Sequence, residues 1–239
     1  MKILITGASS GIGQATAYKF AQAKKDLILT YFKNKPGAKK TQQECLKLGA
    51  QSAEIFELDL SQEKNILDFT KKIIKQYKSI DILINNAGYK LHIDLENTSF
   101  QEIDKQINSN LIGAIKLTKL LLKNIKYSII NIGSTLGFIG KKNAVIYCVA
   151  KFGIRGFTKA LAKENTNLKI NAVNPCLTNT AMGNANGIEP MEVAQIIYNT
   201  AVGKYKIKSG LEINVRDYRF GWFVAKIIIF FKKIKNIFL

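Results

Sequence analysis

Seven short apolar runs recur along the 239-residue chain, and the stretches between them place apolar residues at helical spacing. The runs centre on Ile3, Leu27, residues 53–56, Ile82, residues 128–132, residues 170–173 and residues 211–215. They are continuous rather than alternating, which fits strands buried on both faces. Strand-like runs separated by helical patterns predict an α/β fold. The expected architecture is a doubly wound parallel sheet of about seven strands with helices on both faces. No repeat, proline-rich linker or low-complexity segment interrupts the pattern. One domain over residues 1–215 is therefore expected.

The pattern changes after Val215. Residues 216–239 form a hydrophobic and basic tail in which lysines punctuate Ile and Phe. As a helix it would gather Ile227, Phe230, Phe231, Ile234 and Phe238 on one side. The apolar run, broken by Lys226, falls short of the ~20 residues a membrane span needs. Two readings stand: an amphipathic helix lying on an anionic membrane through residues 217–239, or one packing on its own domain or a second subunit.

Charge sharpens the first of these. The formal net charge is +19, and only Arg155, Arg216 and Arg219 among the 36 basic residues are arginine. Such a surface attracts acidic partners: an acyl carrier protein, a phosphorylated substrate or anionic lipid. No basic face interleaved with aromatics and no recognition motif points to nucleic acid. Cys45, Cys148 and Cys176 have no metal-ligand spacing and His92 is the sole histidine, so no metal site is expected. Met1 leads straight into the first apolar run without a charged leader, which predicts a cytoplasmic protein, with the tail reading adding the inner face of the membrane.

Candidate chemistry lies at two places. After Lys2-Ile3-Leu4-Ile5 the chain reads Thr6-Gly7-Ala8-Ser9-Ser10-Gly11-Ile12-Gly13, then a helical pattern through Ala15, Ala17, Phe20 and Ala21. A strand, a glycine turn and a helix start make a phosphate-binding geometry, because the helix N-terminus offers free N–H groups and partial positive charge. The second strand ends Thr30-Tyr31-Phe32-Lys33 with no acid to meet an adenosine ribose, which favours NADP(H) over NAD(H). Further along, Tyr147 and Lys151 stand four apart, one helical turn, with Ser134 upstream. An ammonium beside a phenol is expected to lower its pKa from about 10 toward the neutral range, where it can move protons.

Together these motifs resemble the short-chain dehydrogenase/reductase family, in its single-domain branch with a Rossmann-like fold, over residues 1–215. The segment 6–13 resembles the family's cofactor glycine motif, contributing Gly7, Ser9, Ser10, Gly11, Ile12 and Gly13. Asp59-Leu60 resembles the pair that meets the adenine. Asn85-Asn86-Ala87-Gly88 resembles the NNAG motif, adding Asn85, Ala87 and Gly88 to the cofactor contacts. Asn174-Pro175, with Thr178 and Thr180, resembles the segment closing over the nicotinamide. Lys33, Tyr147, Lys151 and Pro175 complete the implied cofactor set. The catalytic positions implied are Asn110, Ser134, Tyr147 and Lys151. Tyr147 would exchange a proton with the substrate oxygen, Ser134 would anchor that oxygen, Lys151 would hold the ribose, and Asn110 would hold a relay water.

The resemblance implies an NAD(P)H-dependent oxidoreductase interconverting a carbonyl and a secondary alcohol. A 3-oxoacyl thioester, as for 3-oxoacyl-carrier-protein reductases, is the first substrate expectation, and a sugar or lipid-linked carbonyl at a membrane surface is the alternative. A dimer or tetramer is also implied. Two departures bear on substrate: Cys176 follows Pro175 where the family has glycine, and the cover over residues 181–189 is short. Rivals of another class are an idle nucleotide-binding scaffold, which gives no reason to keep Tyr147, and a lipid-surface protein working through its tail, which leaves the four catalytic positions unexplained.

Overall fold

The computed structural model describes residues 1–183 and 185–218; beyond Tyr218 the predicted tail lies outside the described residues. The first half runs β1 (Lys2–Ile5), α1 (Gly11–Gln22), β2 (Asp26–Tyr31), α2 (Lys35–Lys47), β3 (Ser52–Glu57) and α3 (Glu63–Tyr77). The second half begins with β4 (Ile80–Asn85), α4 (Phe100–Ile107), α5 (Gly113–Leu121) and β5 (Ile125–Ile132). It continues with α6 (Val145–Glu164), β6 (Lys169–Asn174), α7 (Pro190–Ala201), β7 (Glu212–Asn214) and a short α8 (Val215–Tyr218).

The strands form one sheet in the order β3-β2-β1-β4-β5-β6-β7, with every pairing parallel. This is the doubly wound Rossmann-like sheet that the apolar runs predict. Alternation along each strand feeds two cores. Ile3, Ile5, Ile82, Ile84, Ile130 and Ile132 face α1, α2 and α7, where Phe20 meets Tyr198 edge-on with centroids 5.1 Å apart. Leu4, Leu83 and Ile129 face the opposite way, against α3, α5 and α6 through Ile66, Phe69, Leu117, Leu121 and Leu161. Each such side chain, taken fully out of water, contributes roughly 1.5–3 kcal/mol.

The strand order reverses between β1 and β4, which puts a crevice beyond their C-terminal ends. The turns after β1 and β4 meet there, with the turn after β5 beside them. One feature breaks the regular pattern: a π-helical turn, Asn108–Ile112, joins α4 to α5. Extra residues of this kind bulge the helix and commonly mark functional positions. Among the described residues, no helix is long and apolar enough to cross a membrane.

Candidate active site

The glycine turn is held by threonine and asparagine side chains. Thr6 Oγ1 accepts from the N–H groups of Asn86 (2.9 Å) and Ala87 (3.0 Å), so one hydroxyl ties the turn after β1 to the turn after β4. Asn86 Nδ2 donates to the carbonyls of Thr6 and Gly7. From β2, Thr30 accepts the Gly7 N–H on Oγ1 and the Ala8 N–H on its carbonyl. Gly7 sits at φ +67°, and a Cβ there would lie 2.8 Å from Ala87 Cα. The turn then enters α1 at Ser10, whose side chain makes no cap bond, and the first turn of α1 carries no acid. Its leading N–H groups are thus left for an outside acceptor.

Gly13, the last glycine of the turn, sits where α1 packs on that turn. A bulkier residue would not first obstruct a phosphate: a Cβ would lie 2.2 Å from the Gly7 carbonyl oxygen and 2.5 Å from Asn86 Nδ2. Its smallness lets α1 close on its own turn. Ser9 and Ile12 complete the turn, and the Ser9 carbonyl abuts Gly37 in the first turn of α2, where a Cβ would lie 2.5 Å away.

At the adenosine end, Lys33 is exposed beyond β2, 5.4 Å from the Phe32 ring centroid. It directly precedes Asn34, whose Oδ1 caps α2 by accepting the Gly37 N–H. Asp59 follows β3. Its Oδ1 accepts from the N–H and hydroxyl of Ser61, and its N–H donates to Asn65, while Leu60 beside it is buried. The Asn85 side chain turns away from the crevice. Its Nδ2 donates to Thr118 and Asn131, and Asn131 donates on to Thr158, a buried row binding β4 and β5 to α5 and α6. Ala87 and Gly88 continue the turn, and a Cβ at Gly88 would strike Asn110 Oδ1 at 2.3 Å.

Asn110 occupies the π-helical turn and is buried. Its Oδ1 accepts the Tyr89 N–H, and its Nδ2 donates to the carbonyls of Tyr89 (2.8 Å) and Gln106 (2.9 Å). The side chain is thus occupied in clamping the chain after Gly88 to the bulged helix.

Ser134 lies just past β5 on extended backbone, its Oγ accepting the Leu136 N–H. Tyr147 and Lys151 project from the first turns of α6, both buried. Lys151 Nζ donates to the Ile132 carbonyl at 2.8 Å and lies 5.5 Å from the Tyr147 ring centroid. Burial pushes the Tyr147 phenol up to about 12, opposed by its hydrogen bond with Ser134 and reinforced slightly by Cys148. Burial also brings the Lys151 ammonium down to about 8. This differs from the expected lowering of the phenol. The ammonium is aimed at a backbone carbonyl, and desolvation is the largest influence on both groups. The phenol is therefore a proton donor at neutral pH, with a lysine close to its own titration range beside it.

The segment after β6 closes the crevice. The Pro175 carbonyl accepts the Thr135 N–H, which fixes this segment next to Ser134. Thr178 Oγ1 donates to the Cys176 carbonyl, and Thr180 lies against Gly11 while its Oγ1 accepts the Gly183 N–H. Bonds from Asn179 N–H to Ile188 O and from Ile188 N–H to Leu177 O pinch the cover shut at its base. Beneath it, Glu212 of β7 takes Arg155 Nε at 2.6 Å, Lys159 at 3.0 Å and Asn174 Nδ2 at 3.0 Å. Thr6, Thr30, Asn86, Arg155 and Glu212 were not among the site residues expected from sequence. Their partners lie tens of residues away; the polar character of strand-end positions hinted at Thr6, Thr30, Asn86 and Glu212, and nothing local hinted at Arg155 within α6.

The family model described as short chain dehydrogenase matches residues 1–189. The chain belongs to the short-chain dehydrogenase family. It is thereby an NAD(P)-dependent oxidoreductase that acts between a carbonyl and an alcohol on a small molecule. Among curated relatives, estradiol 17-beta-dehydrogenase 11 of Macaca fascicularis is 33% identical over 222 residues, 86% of this chain and 73% of that protein. The 17-beta-hydroxysteroid dehydrogenase 13 of Homo sapiens is 33% identical over 187 residues, 74% of this chain and 62% of that one. The chain thus spans about half to three-quarters of these relatives' length. A short chain dehydrogenase from Burkholderia cenocepacia, solved with NADP, superposes with a TM-score of 0.83 at 23% identity, over 89% of this chain and 95% of that one. The glycine turn, with Gly7 at positive φ and an uncapped helix behind it, fits the pyrophosphate of such a dinucleotide.

Proposed function

We propose that this enzyme reduces a ketone to a secondary alcohol, and runs the reverse reaction, with Tyr147 as the acid–base group and NADP(H) as the preferred cofactor. The observation that carries the reading is the convergence of Ser134, Tyr147 and Lys151 beside the turns after β1 and β4. A nicotinamide held beside these residues would supply or take the hydride. Ser134 orients the substrate oxygen, and Tyr147 gives that oxygen its proton as negative charge develops. A phenol protonated at neutral pH suits this direction. Once the phenol has lost its proton, the Ser134 hydroxyl stabilises the oxygen left behind, with the Lys151 ammonium 5.5 Å from the ring centroid on the same helix. With the Asn110 side chain engaged, a relay water would meet the main chain of the π-helical turn.

Cofactor preference rests on Lys33 and on the lack of an acid at the end of β2. A 2′-phosphate would meet an ammonium and the Asn34-capped start of α2 instead of a carboxylate. For substrate, the 3-oxoacyl thioester expectation stands beside a second reading, an apolar secondary alcohol or ketone, which the names of the hydroxysteroid dehydrogenase relatives favour. The exposed Leu177 and Met182 on the cover segment would suit an apolar body. The test is a cofactor-coupled assay with an acetoacetyl thioester, a 17-ketosteroid and a medium-chain ketone. Turnover with NADPH exceeding that with NADH on any of them supports the reading. Tight NADPH binding with no turnover on all three counts against it. Residues 217–239 are proposed to hold the enzyme at an anionic surface. Vesicle sedimentation unaltered by removing residues 219–239 would refute this.

A further inference from the structure

A second ammonium flanks the Tyr147 ring. Lys90 Nζ lies 5.8 Å from its centroid, close to the 5.5 Å of Lys151. Lys90 is half-buried in the loop that follows Gly88. Lys141 is exposed on the loop before α6, close enough for its charge to act on Lys90. There it borders an open apolar hollow of about 380 Å³ formed with Val145, Cys148, Val149 and Phe152, on the other side of α6 from Lys151. The two loops are joined by the Ile93 N–H donating to the Asn143 carbonyl at 3.0 Å. Asn143 holds a left-handed backbone at φ +60°, and its Oδ1 is buried without a hydrogen-bond partner among the described residues.

These basic groups lack acids. None of the described ion pairs involves Lys90, Lys141 or His92. Burial and then Lys141 bring Lys90 below the usual lysine range. Lys90, burial and Lys141 in turn hold His92 below the usual imidazole range. No carboxylate enters the electrostatics of Lys90 or His92. Arg155, similarly half-buried, is by contrast neutralised by Glu212. Two like charges on loops tied together repel, and the cost falls when an anion binds beside them.

We propose that the loops carrying Lys90 and Lys141 bind an oxyanion, a carboxylate or phosphate, borne by the substrate near its reacting carbonyl. The proposal rests on Tyr147 marking where that carbonyl sits. It makes the enzyme selective for keto acids or phosphorylated ketones over their uncharged counterparts.

The test uses matched pairs: 4-acetylbenzoate with its methyl ester, and dihydroxyacetone phosphate with dihydroxyacetone. Two readouts are taken, kcat/KM for each member and calorimetric titration of each anionic member into the full chain saturated with NADP⁺. The wild type should favour the charged member of at least one pair by about tenfold or more, the scale of a charge-assisted contact. The pair that shows it tells carboxylate from phosphate. Lys90→Gln and Lys141→Gln should each cut the ratio about tenfold, and Lys90→Glu should invert it. Lys126→Gln, at the far end of β5, should keep it. A wild-type ratio near one, unmoved by Lys90→Glu, overturns the proposal and leaves the reductase reading standing. Equal loss on both members in Lys90→Gln also overturns it, making Lys90 a support for the phenol. If no ketone turns over, calorimetry decides: anion binding lost in Lys90→Gln upholds the site while the reductase reading falls, and no binding by the wild type removes the site.

Discussion

Lys151 is a buried charge kept at a cost to folding, and Lys151→Met measures that cost. The fall of its pKa from 10.5 to about 8 corresponds to about 3 kcal/mol at ~1.4 kcal/mol per pH unit. The sign follows from proton binding. Between about 8 and 10.5 the unfolded chain holds the proton and the folded chain does not, so stability rises with pH through that window. Below about 8 the full penalty is present. Methionine removes it but leaves the Ile132 carbonyl without its 2.8 Å partner, a loss of about 1–3 kcal/mol. At pH 7 the variant should therefore be as stable as the wild type or up to about 2 kcal/mol more stable. By pH 10.5 it should be about 1–3 kcal/mol less stable, because the wild type has shed its penalty. Urea unfolding of both proteins at pH 7 and pH 10.5, each without cofactor, reads the difference. A variant less stable at pH 7 by more than about 2 kcal/mol, with no dependence on pH, would show that Lys151 is not held as a penalised charge.

Other substitutions probe the frame around the site. Gly13→Ala should destabilise by about 1–3 kcal/mol and raise the Kd for NADPH, since its Cβ meets the Gly7 carbonyl and Asn86. Gly156→Ala, in α6 with open space around it, should stabilise by about 0.5–1 kcal/mol, and thermal unfolding checks both. Arg155→Ala should cost about 2 kcal/mol through the lost Glu212 pair. Burial raises the Glu212 pKa, but bonds from Arg155, Lys159 and Asn174 together bring it below the usual range. The pair's stability is thus present above the ordinary glutamate pKa and lost as pH falls through the lowered one. The Arg155→Ala difference should shrink there, and a pH-independent difference would contradict the pairing. Lys33→Glu should raise the Kd for NADPH at least tenfold and spare NADH, which equilibrium titration of both cofactors reads directly.

What the sequence revealed, and what it hid, follows from the range of the interactions. Strands β1, β4 and β5 were legible because a parallel sheet covered on both faces needs unbroken Ile and Leu. The glycine turn and the Tyr147–Lys151 spacing were legible because each is local. The hub of Thr6, Thr30 and Asn86 was not, since Thr6 and Asn86 meet across 80 residues and only the finished sheet brings them together. The π-helical turn at Asn110 carries no local signature, because a one-residue slip of the hydrogen-bond ladder leaves composition unchanged. The direction of the Tyr147 pKa was misjudged for a related reason. Spacing placed an ammonium near the phenol, but burial, which is tertiary, raises the phenol, and the ammonium donates to the Ile132 carbonyl. At the strand ends the limits shifted little: the last strand, expected over residues 211–215, forms at Glu212–Asn214, with Val215 opening α8.

The most direct test of the central claim separates cofactor binding from chemistry in Tyr147→Phe. NADPH Kd is measured by equilibrium titration, and the first turnover is followed by loss of NADPH after rapid mixing with whichever ketone the wild type reduces. Loss of the phenolic proton should slow that turnover by about 10²–10⁴-fold while the Kd changes by less than about threefold. A variant that turns over at the wild-type rate would remove Tyr147 from the role of acid and the account with it.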